Sequence, residues 1–409
     1  MMRSTCLVSI LAVVGCTASR REASSALFNT AAPIGFPASV RHVSADRRGM
    51  KSLSANILRG LQASSAGPMN ILALSGGGAG GAFGAGALVG LSRRGERPQF
   101  QIVTGVTTGA LIAPFAFLGS AWDEQLSDAY LGGRSAHLLH SRGIGILFHP
   151  GLYRSTPLVD LVDHYVTNEL VQAVAREAAL GRLLLVATTD LDKEETVIWN
   201  MGVIATHGGE VARMLFRDVL VASASIPGLF APVVIHVEDA GIAYDEMHAD
   251  GGVTVPFFVA PEAAFVTEFD SSWLAGANIY VLVNGQLGSA PRTTRFGSVP
   301  ILSRSFSAEL KHMSRTGLAL TAGFAQRYGM AFRFTEIPVD YPDSSSFDFR
   351  QSHMRELFRY GAECAQEGRL WTTVDQAIAR GERAISSQRE SRQAAEPQAI
   401  PPCPLDESG

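Results

Sequence analysis

The chain has 409 residues, 46% of them hydrophobic and 18% charged, with a formal net charge of -4. That length holds one large α/β domain or two ordinary ones, and the apolar fraction is ample for a sizeable core. A weakly negative chain with no run of Lys and Arg gives nucleic acid no footing. With no Cys-x-x-Cys and no His-x-x-x-His, no metal site or other cofactor is expected.

At the N-terminus, Met1-Met2-Arg3 puts one positive charge ahead of a short apolar run, Cys6–Val14. The run is too short to span a bilayer as a helix and reads as a targeting segment. It ends in Val13-Val14-Gly15-Cys16. Small residues before a cysteine resemble the lipobox of bacterial lipoproteins. That resemblance implies cleavage before Cys16, acylation of Cys16 and, with Thr17 rather than Asp next in line, an outer-membrane lipoprotein of the bacterial cell envelope. The plainer alternative is an ordinary secretory signal with a chance cysteine and a secreted or periplasmic product. In an oxidising compartment Cys364 and Cys403 either pair or stay as two free thiols. Residues 1–16 are thus a leader, and residues 17–68, rich in Ser, Ala and Arg, read as a tether with one short helix near Leu53–Leu61.

The globular part spans residues 69–384. Ile71–Leu74 is a short buried strand, followed by glycines and an Ala/Gly/Leu helix starting near Ala82. Gln101–Thr104 is a second strand, followed by a tight turn and a helix through Leu118. Arg182–Thr188 and Ile279–Val283 are further apolar runs of strand length. Short apolar strands between helical patterns predict an α/β fold of three layers, a mostly parallel sheet with helices on both faces. No later segment offers 18 uninterrupted apolar residues, so any membrane attachment is through a lipid anchor or surface contact. Residues 385–409, with their prolines and polar side chains, read as a disordered tail.

Three motifs carry chemistry. The first is Ser75-Gly76-Gly77-Gly78-Ala79-Gly80-Gly81, directly after the first strand. Glycines let a substrate approach main-chain N–H groups, and the helix that follows adds unpaired N–H groups and a positive dipole end. Such a place stabilises a negative oxygen. Gly76, Gly78 and Gly81 also satisfy G-x-G-x-x-G, but dinucleotide binding needs a carboxylate about 20 positions on. Phe100–Thr104 has none. The second motif is Gly105-Val106-Thr107-Thr108-Gly109, in the strand–turn–helix setting of a G-x-S-x-G nucleophile elbow, with Thr107 where that motif has Ser. The third is Asp250-Gly251-Gly252, which alone is an ordinary turn.

In this order the three motifs resemble the patatin-like phospholipase family. Ala222–Pro232 and Leu111-Ile112-Ala113-Pro114 resemble the family's segments before the D-G-G turn and after the elbow. The resemblance implies a patatin-like fold and a lipid acyl hydrolase, a phospholipase A or carboxylic ester hydrolase, working through a Ser–Asp dyad without a catalytic His. Carried over, Thr107 takes the nucleophile's place and Asp250 the base's. Gly76, Gly77, Gly78, Ala79, Gly80 and Gly81 form the oxyanion loop, with Gly77, Gly78 and Ala79 as its expected donors. Gly105 and Gly109 shape the elbow, and Gly251 and Gly252 the turn. The family often has Arg or Lys where Gly80 stands. The implied partners are a phospholipid or other acyl-ester substrate and a membrane surface reached through the lipid anchor. No metal and no nucleic acid enter this scheme.

Threonine keeps the hydroxyl but adds a methyl that stiffens χ1. If the methyl turns the hydroxyl away from Asp250, proton transfer loses its geometry. The alternative is a catalytically silent, lipid-binding lipoprotein that keeps the fold. Ser75, Ser223 and Ser225 are substitute hydroxyls with no elbow around them. An ordinary α/β-hydrolase would need a late histidine, His312 or His353, and would leave the D-G-G turn unexplained. Phe115–Leu118 and Val255–Val259 either line an acyl pocket or belong to the core.

Overall fold

The apolar runs become strands of one ten-stranded sheet. The structure, a computed structural model, describes residues 20–21, 30–44, 68–139, 151–260, 274–288, 293–342, 346–373, 376 and 403–404. The leader with Cys16, the helix expected near Leu53–Leu61 and most of the expected tail lie outside these residues.

The strands are β1 (Ala32–Pro33), β2 (Arg41–Val43), β3 (Asn70–Leu74), β4 (Ile102–Gly105), β5 (Leu183–Asp190), β6 (Glu195–Asn200), β7 (Val233–Asp239), β8 (Ile242–Asp250), β9 (Asn278–Val283) and β10 (Ala331–Glu336). Their order is β1-β7-β8-β5-β4-β3-β9-β10, with β6 on β5 and β2 on β6. From β10 to β5 every neighbour is parallel. Beyond β5 every pairing is antiparallel. The sheet is therefore parallel where strands are joined through helices, and antiparallel where β5–β6 and β7–β8 fold back as hairpins.

Helices cover both faces. In chain order they are α1 (Gly81–Arg94), α2 (Thr108–Leu118), α3 (Asp123–Leu131), α4 (Thr156–Tyr165), α5 (Asn168–Ala179), α6 (Met201–His207), α7 (Gly209–Ser223), α8 (Ser298–Arg327) and α9 (Gln351–Gln366). The period-two alternation of the strands sorts the core. Leu72, Leu74, Val103, Leu184 and Val186 point into the larger cluster, with α1 and α2. Ile71, Ala73, Ile102, Leu185 and Ala187 point the other way, against Leu318, Phe324 and Ala325 of α8. Both faces are buried, which is why these strands read as continuous apolar runs rather than as alternating ones. Each fully buried Leu or Ile contributes about 1.5–3 kcal/mol.

Two expectations about the ends need correction. Part of the tether of residues 17–68 belongs to the fold, because β1 pairs with β7 and β2 pairs with β6. Such short strands leave no periodicity to read. The tail of residues 385–409 is pinned at one point, since Cys403 forms a disulfide with Cys364 on α9.

One feature of the topology matters most for the site. A strand has two edges, and β6 occupies one edge of β5 along Leu185–Asp190. On the other edge β4 covers Leu183–Val186, and β8 covers Thr188–Asp190. The carboxyl end of β4 and the carboxyl end of β8 therefore meet along one edge of β5. Residue 107 follows the first, and Asp250 is the last residue of the second.

Candidate active site

Thr107 sits in the turn between β4 and α2 with φ 55° and ψ -121°. A β-branched residue at positive φ is strained, at about 1–3 kcal/mol, and needs surroundings that fix it. Two linked hydrogen bonds do so. Its N–H donates to Ser223 Oγ at 3.1 Å, and Ser223 Oγ in turn donates to Ala187 O at 2.7 Å. The flanking glycines allow the turn to close: a Cβ on Gly105 would lie 2.6 Å from Gly109 O, and one on Gly109 would lie 2.4 Å from Leu74 O. No larger residue fits at either position without moving backbone.

The Thr107 hydroxyl donates to Asp250 Oδ1 at 2.5 Å. The added methyl has not turned it away. The same oxygen accepts from Gly252 N–H at 2.6 Å. Asp250 Oδ2 is buried with no hydrogen-bond partner among the described residues. The Asp250 backbone is fixed from both sides: its N–H donates to Ser225 O at 3.0 Å, and its carbonyl accepts from Thr189 Oγ1 at 2.9 Å. Complete burial pushes the Asp250 carboxyl up to about 7, against the opposing pull of the Thr107 and Gly252 hydrogen bonds. A carboxylate that ionises near neutrality can exchange a proton with the hydroxyl it touches.

Two glycines press on this pair, and a third presses on the strand beside it. A Cβ on Gly76 would lie 2.8 Å from Thr107 Oγ1, one on Gly252 would lie 3.1 Å from the same atom, and one on Gly251 would lie 2.4 Å from Ala187 O. Gly76 and Gly252 thus border the hydroxyl, where side chains would cover it. The glycine loop brings a second set of donors. Its Ala79 N–H donates to Ser346 O at 2.8 Å, Gly76 N–H to Pro256 O at 3.3 Å, and Gly80 N–H to Gly77 O at 3.1 Å. The Gly77 and Gly78 N–H groups have no partner among the described residues. Two helix N-termini converge behind the pair, since α1 begins at Gly81 and a Cβ there would lie 2.2 Å from Thr108 Oγ1 at the start of α2. Their dipoles favour negative charge.

Several residues of this arrangement carry no motif. Asn284, just after β9, is buried; its Nδ2 donates to Ser75 O at 2.7 Å and its N–H to Ser75 Oγ at 2.9 Å. A Cβ on Gly80 would lie 2.1 Å from Asn284 O, so the basic side chain that the family often has there does not fit. Ser75, Ser223 and Ser225 all donate to backbone carbonyls and act as anchors of the loop and elbow. Neither His312 nor His353 is among the partners of Thr107 or Asp250. The signal for Ser223 and Ser225 was the Ala-Ser-Ala-Ser run; nothing in the sequence pointed to Asn284.

Gly78 and Thr108 open onto a pocket whose walls are almost wholly apolar, with Leu111, Phe115, Leu161, Leu220 and Met354 among them. Its polar lining residues are Ser135, Tyr165 and a hydroxyl pair, Thr108 Oγ1 and Tyr130 OH, 3.1 Å apart. Phe115 thus lines the pocket, while Phe117 is core. Phe257, Phe258 and Val259 lie in the core on the opposite face of the sheet.

A second polar cluster lies further along β5 and β8. Asp190, Glu246 and His248 lie close enough together to hold a cation. Two cations already occupy that place. Arg41 from β2 clasps Glu246 with both guanidinium nitrogens, and Lys193 Nζ lies 2.5 Å from Glu246 and 3.1 Å from Asp190. Burial raises the Glu246 carboxyl, but the Arg41 and His248 hydrogen bonds and charges prevail and hold it far below its ordinary range. His248 is tied to Thr188 Oγ1 at 3.0 Å. The donor set reads as a paired ion network, not as a vacant metal site.

Residues 72–261 match the family described as Patatin-like phospholipase. No curated protein sequence matches the chain. Two solved structures are similar. VipD from Legionella pneumophila is 12% identical with a TM-score of 0.35, covering 80% of this chain and 76% of that one. The type III effector protein ExoU is 12% identical with a TM-score of 0.27, covering 80% of this chain and 63% of that one, so this chain spans less than two thirds of its length. The family match encloses the glycine loop, Thr107 and Asp250, and over residues 72–261 the chain is similar to the patatin-like phospholipase family.

Proposed function

We propose that the chain hydrolyses acyl esters of lipids with Thr107 as nucleophile and Asp250 as general base. The observation that carries this is the 2.5 Å hydrogen bond to Asp250 Oδ1 from the hydroxyl of Thr107, one residue before Thr108, which with Gly78 lines an apolar pocket. Asp250 takes the hydroxyl proton as Thr107 Oγ1 attacks the ester carbonyl carbon. The tetrahedral oxyanion is met by the Gly77 and Gly78 N–H groups, not by Ala79, whose N–H is held by Ser346. Collapse expels the alcohol, which takes the proton back from Asp250. Water, deprotonated by Asp250, then attacks the acyl-threonine ester, and the fatty acid is released as Asp250 returns the proton to Thr107 Oγ1. The acyl chain lies in the pocket beginning at Gly78 and Thr108.

A phospholipid or similar acyl-ester lipid is the proposed substrate, and attachment through an acylated Cys16 at the outer membrane is the proposed setting. The Cys364–Cys403 disulfide supports an oxidising compartment. The alternative, a silent lipid-binding protein, draws on the Thr107 methyl, held at positive φ in a turn bordered by Gly76 and Gly252.

The test is hydrolysis of a nitrophenyl ester and of phospholipid vesicles by the full chain, with Thr107→Ala, Thr107→Ser and Asp250→Asn beside it. Turnover by the parent, lost in the Ala and Asn variants, supports the dyad. A silent parent with an active Thr107→Ser variant would assign the block to the methyl. Silence from every folded form would leave lipid binding as the function.

A further inference from the structure

Helix α8 is longer than the face it covers. Its second half packs on the core: Leu318, Thr321, Phe324 and Ala325 are buried. A Cβ on Gly317 would lie 3.1 Å from Phe257, and the Arg315 guanidinium donates to Leu287 O at the carboxyl end of β9. Gly329, just past the helix, accepts from Gly276 N–H at the amino end of β9. The helix thus runs antiparallel to the parallel strands and passes their carboxyl ends at about Gly317. The earlier part, from Ser298 on, is about 28 Å of helix extending past the end of the sheet that carries Thr107 and the glycine loop. Among its described side chains the first buried one is Ser314.

The overhang is unlike the rest of the surface. At its tip Phe296 is fully exposed, at 103%, and Ile301 is 45% exposed. Residues 293–315 carry Arg295, Arg304, Lys311 and Arg315 against one carboxylate, Glu309, in a chain of net charge -4. Phe306, on the same half, is partly buried against the main core cluster. No helix among the described residues is long and apolar enough to cross a membrane.

We propose that this overhanging half of α8, with Phe296 at its tip, docks the protein on a lipid bilayer carrying anionic headgroups. The choice of partner rests on the lipid-hydrolase reading. An aromatic tip flanked by basic side chains fits the boundary between headgroups and acyl chains. Two copies of the arm would bring like charges together, which disfavours self-association. Docked this way, the arm turns the carboxyl ends of the parallel strands, where Thr107 and the glycine loop lie, toward the surface that supplies the substrate.

The experiment is flotation of the full chain with phosphatidylcholine vesicles, with and without phosphatidylglycerol. Phe296→Ser lowers the partition coefficient about tenfold on both. Arg295→Ala with Arg304→Ala lowers it by about twentyfold on the anionic vesicles only, and high salt reproduces that loss. Hydrolysis of a soluble nitrophenyl ester is unchanged in each variant, while hydrolysis of vesicles falls with binding. Flotation of both variants equal to the parent overturns the proposal. So does a dimer that Phe296→Ser splits while vesicle binding stays the same. If the parent hydrolyses nothing yet floats in an arm-dependent way, the docking surface stands and the hydrolase reading fails.

Discussion

The parallel and antiparallel halves of the sheet deliver the two members of the candidate site by different means. The parallel half, β10 to β4, is apolar on both faces and supplies Thr107 and the glycine loop almost entirely through backbone geometry. The antiparallel half, β5 to β8, buries Asp190, Glu246, His248 and Asp250 on two adjacent strands. Three of these are partnered by side chains of Arg41, Lys193 and Thr188, whereas Asp250 meets only Thr107 and the Gly252 N–H. The Glu246 carboxyl, clasped by Arg41, is held far below its ordinary range and stays ionised. The under-satisfied one is left with a pKa near neutrality. A buried carboxyl becomes useful as a base where its neighbours withhold cations from it.

The sharpest way to break this contrast is to remove the pair itself. Asp250→Asn is expected to lower kcat roughly 10²–10⁴-fold on a soluble ester, measured at constant folded fraction by circular dichroism. A loss of less than tenfold would remove Asp250 from the base role. Next comes the network. Arg41→Met leaves Glu246 with less than its full complement of charge and is expected to cost about 3–5 kcal/mol in urea unfolding, with kcat changed only a few-fold. Equal stability of parent and variant would mean that the buried ions are solvated in a way the fold does not show.

A pH series separates the two kinds of carboxyl. Asp250 has a folded pKa raised above its unfolded value, so the native state binds the extra proton between about pH 4 and pH 7. Its contribution to stability falls as pH rises through that window, by about 4 kcal/mol in all. Activity should run the other way, with kcat/KM rising through about pH 7 as the base ionises. In Asp250→Asn both slopes should disappear, and a residual stability slope of the same size would assign it elsewhere. Glu246 has the opposite sign, its folded pKa depressed, so its stabilisation is present at neutral pH and is lost only at strongly acid pH.

Smaller effects follow away from the pair. Cys364→Ser opens the 39-residue link to Cys403 and is expected to cost about 3 kcal/mol in thermal unfolding without altering soluble-ester turnover. The same comparison under reducing conditions should leave parent and variant alike. Tyr130→Phe removes the partner of the Thr108 hydroxyl in the pocket wall, with an expected cost of about 1 kcal/mol. A change in preferred acyl-chain length there would show that the pocket holds the chain.

Much of the parallel half was legible in the sequence. Its strands are short apolar runs because both faces are buried, and its turns are marked by glycines because backbone approaches backbone, as at Gly109 and Leu74 O. The order of three motifs carried the family likeness. The antiparallel half was nearly silent. In Ile242–Asp250 the buried residues include Asp245, Glu246, His248 and Asp250, so the apolar pattern that announces a strand is absent. Strands β1 and β2 were too short to show a period at all.

By itself the sequence determined which hydroxyl stands in a strand–turn–helix elbow, which loop is built of glycine and which Asp lies in a Gly turn, since these depend on local backbone sterics. Only the tertiary structure decided that Thr107 and Asp250 touch, because that depends on β4 and β8 sharing one edge of β5. The same is true of Arg41 and Glu246, of Cys364 and Cys403, and of Asn284 and the glycine loop. Each is a contact between distant segments, set by the pairing order of the sheet and the packing around it, and neither leaves a period in the chain.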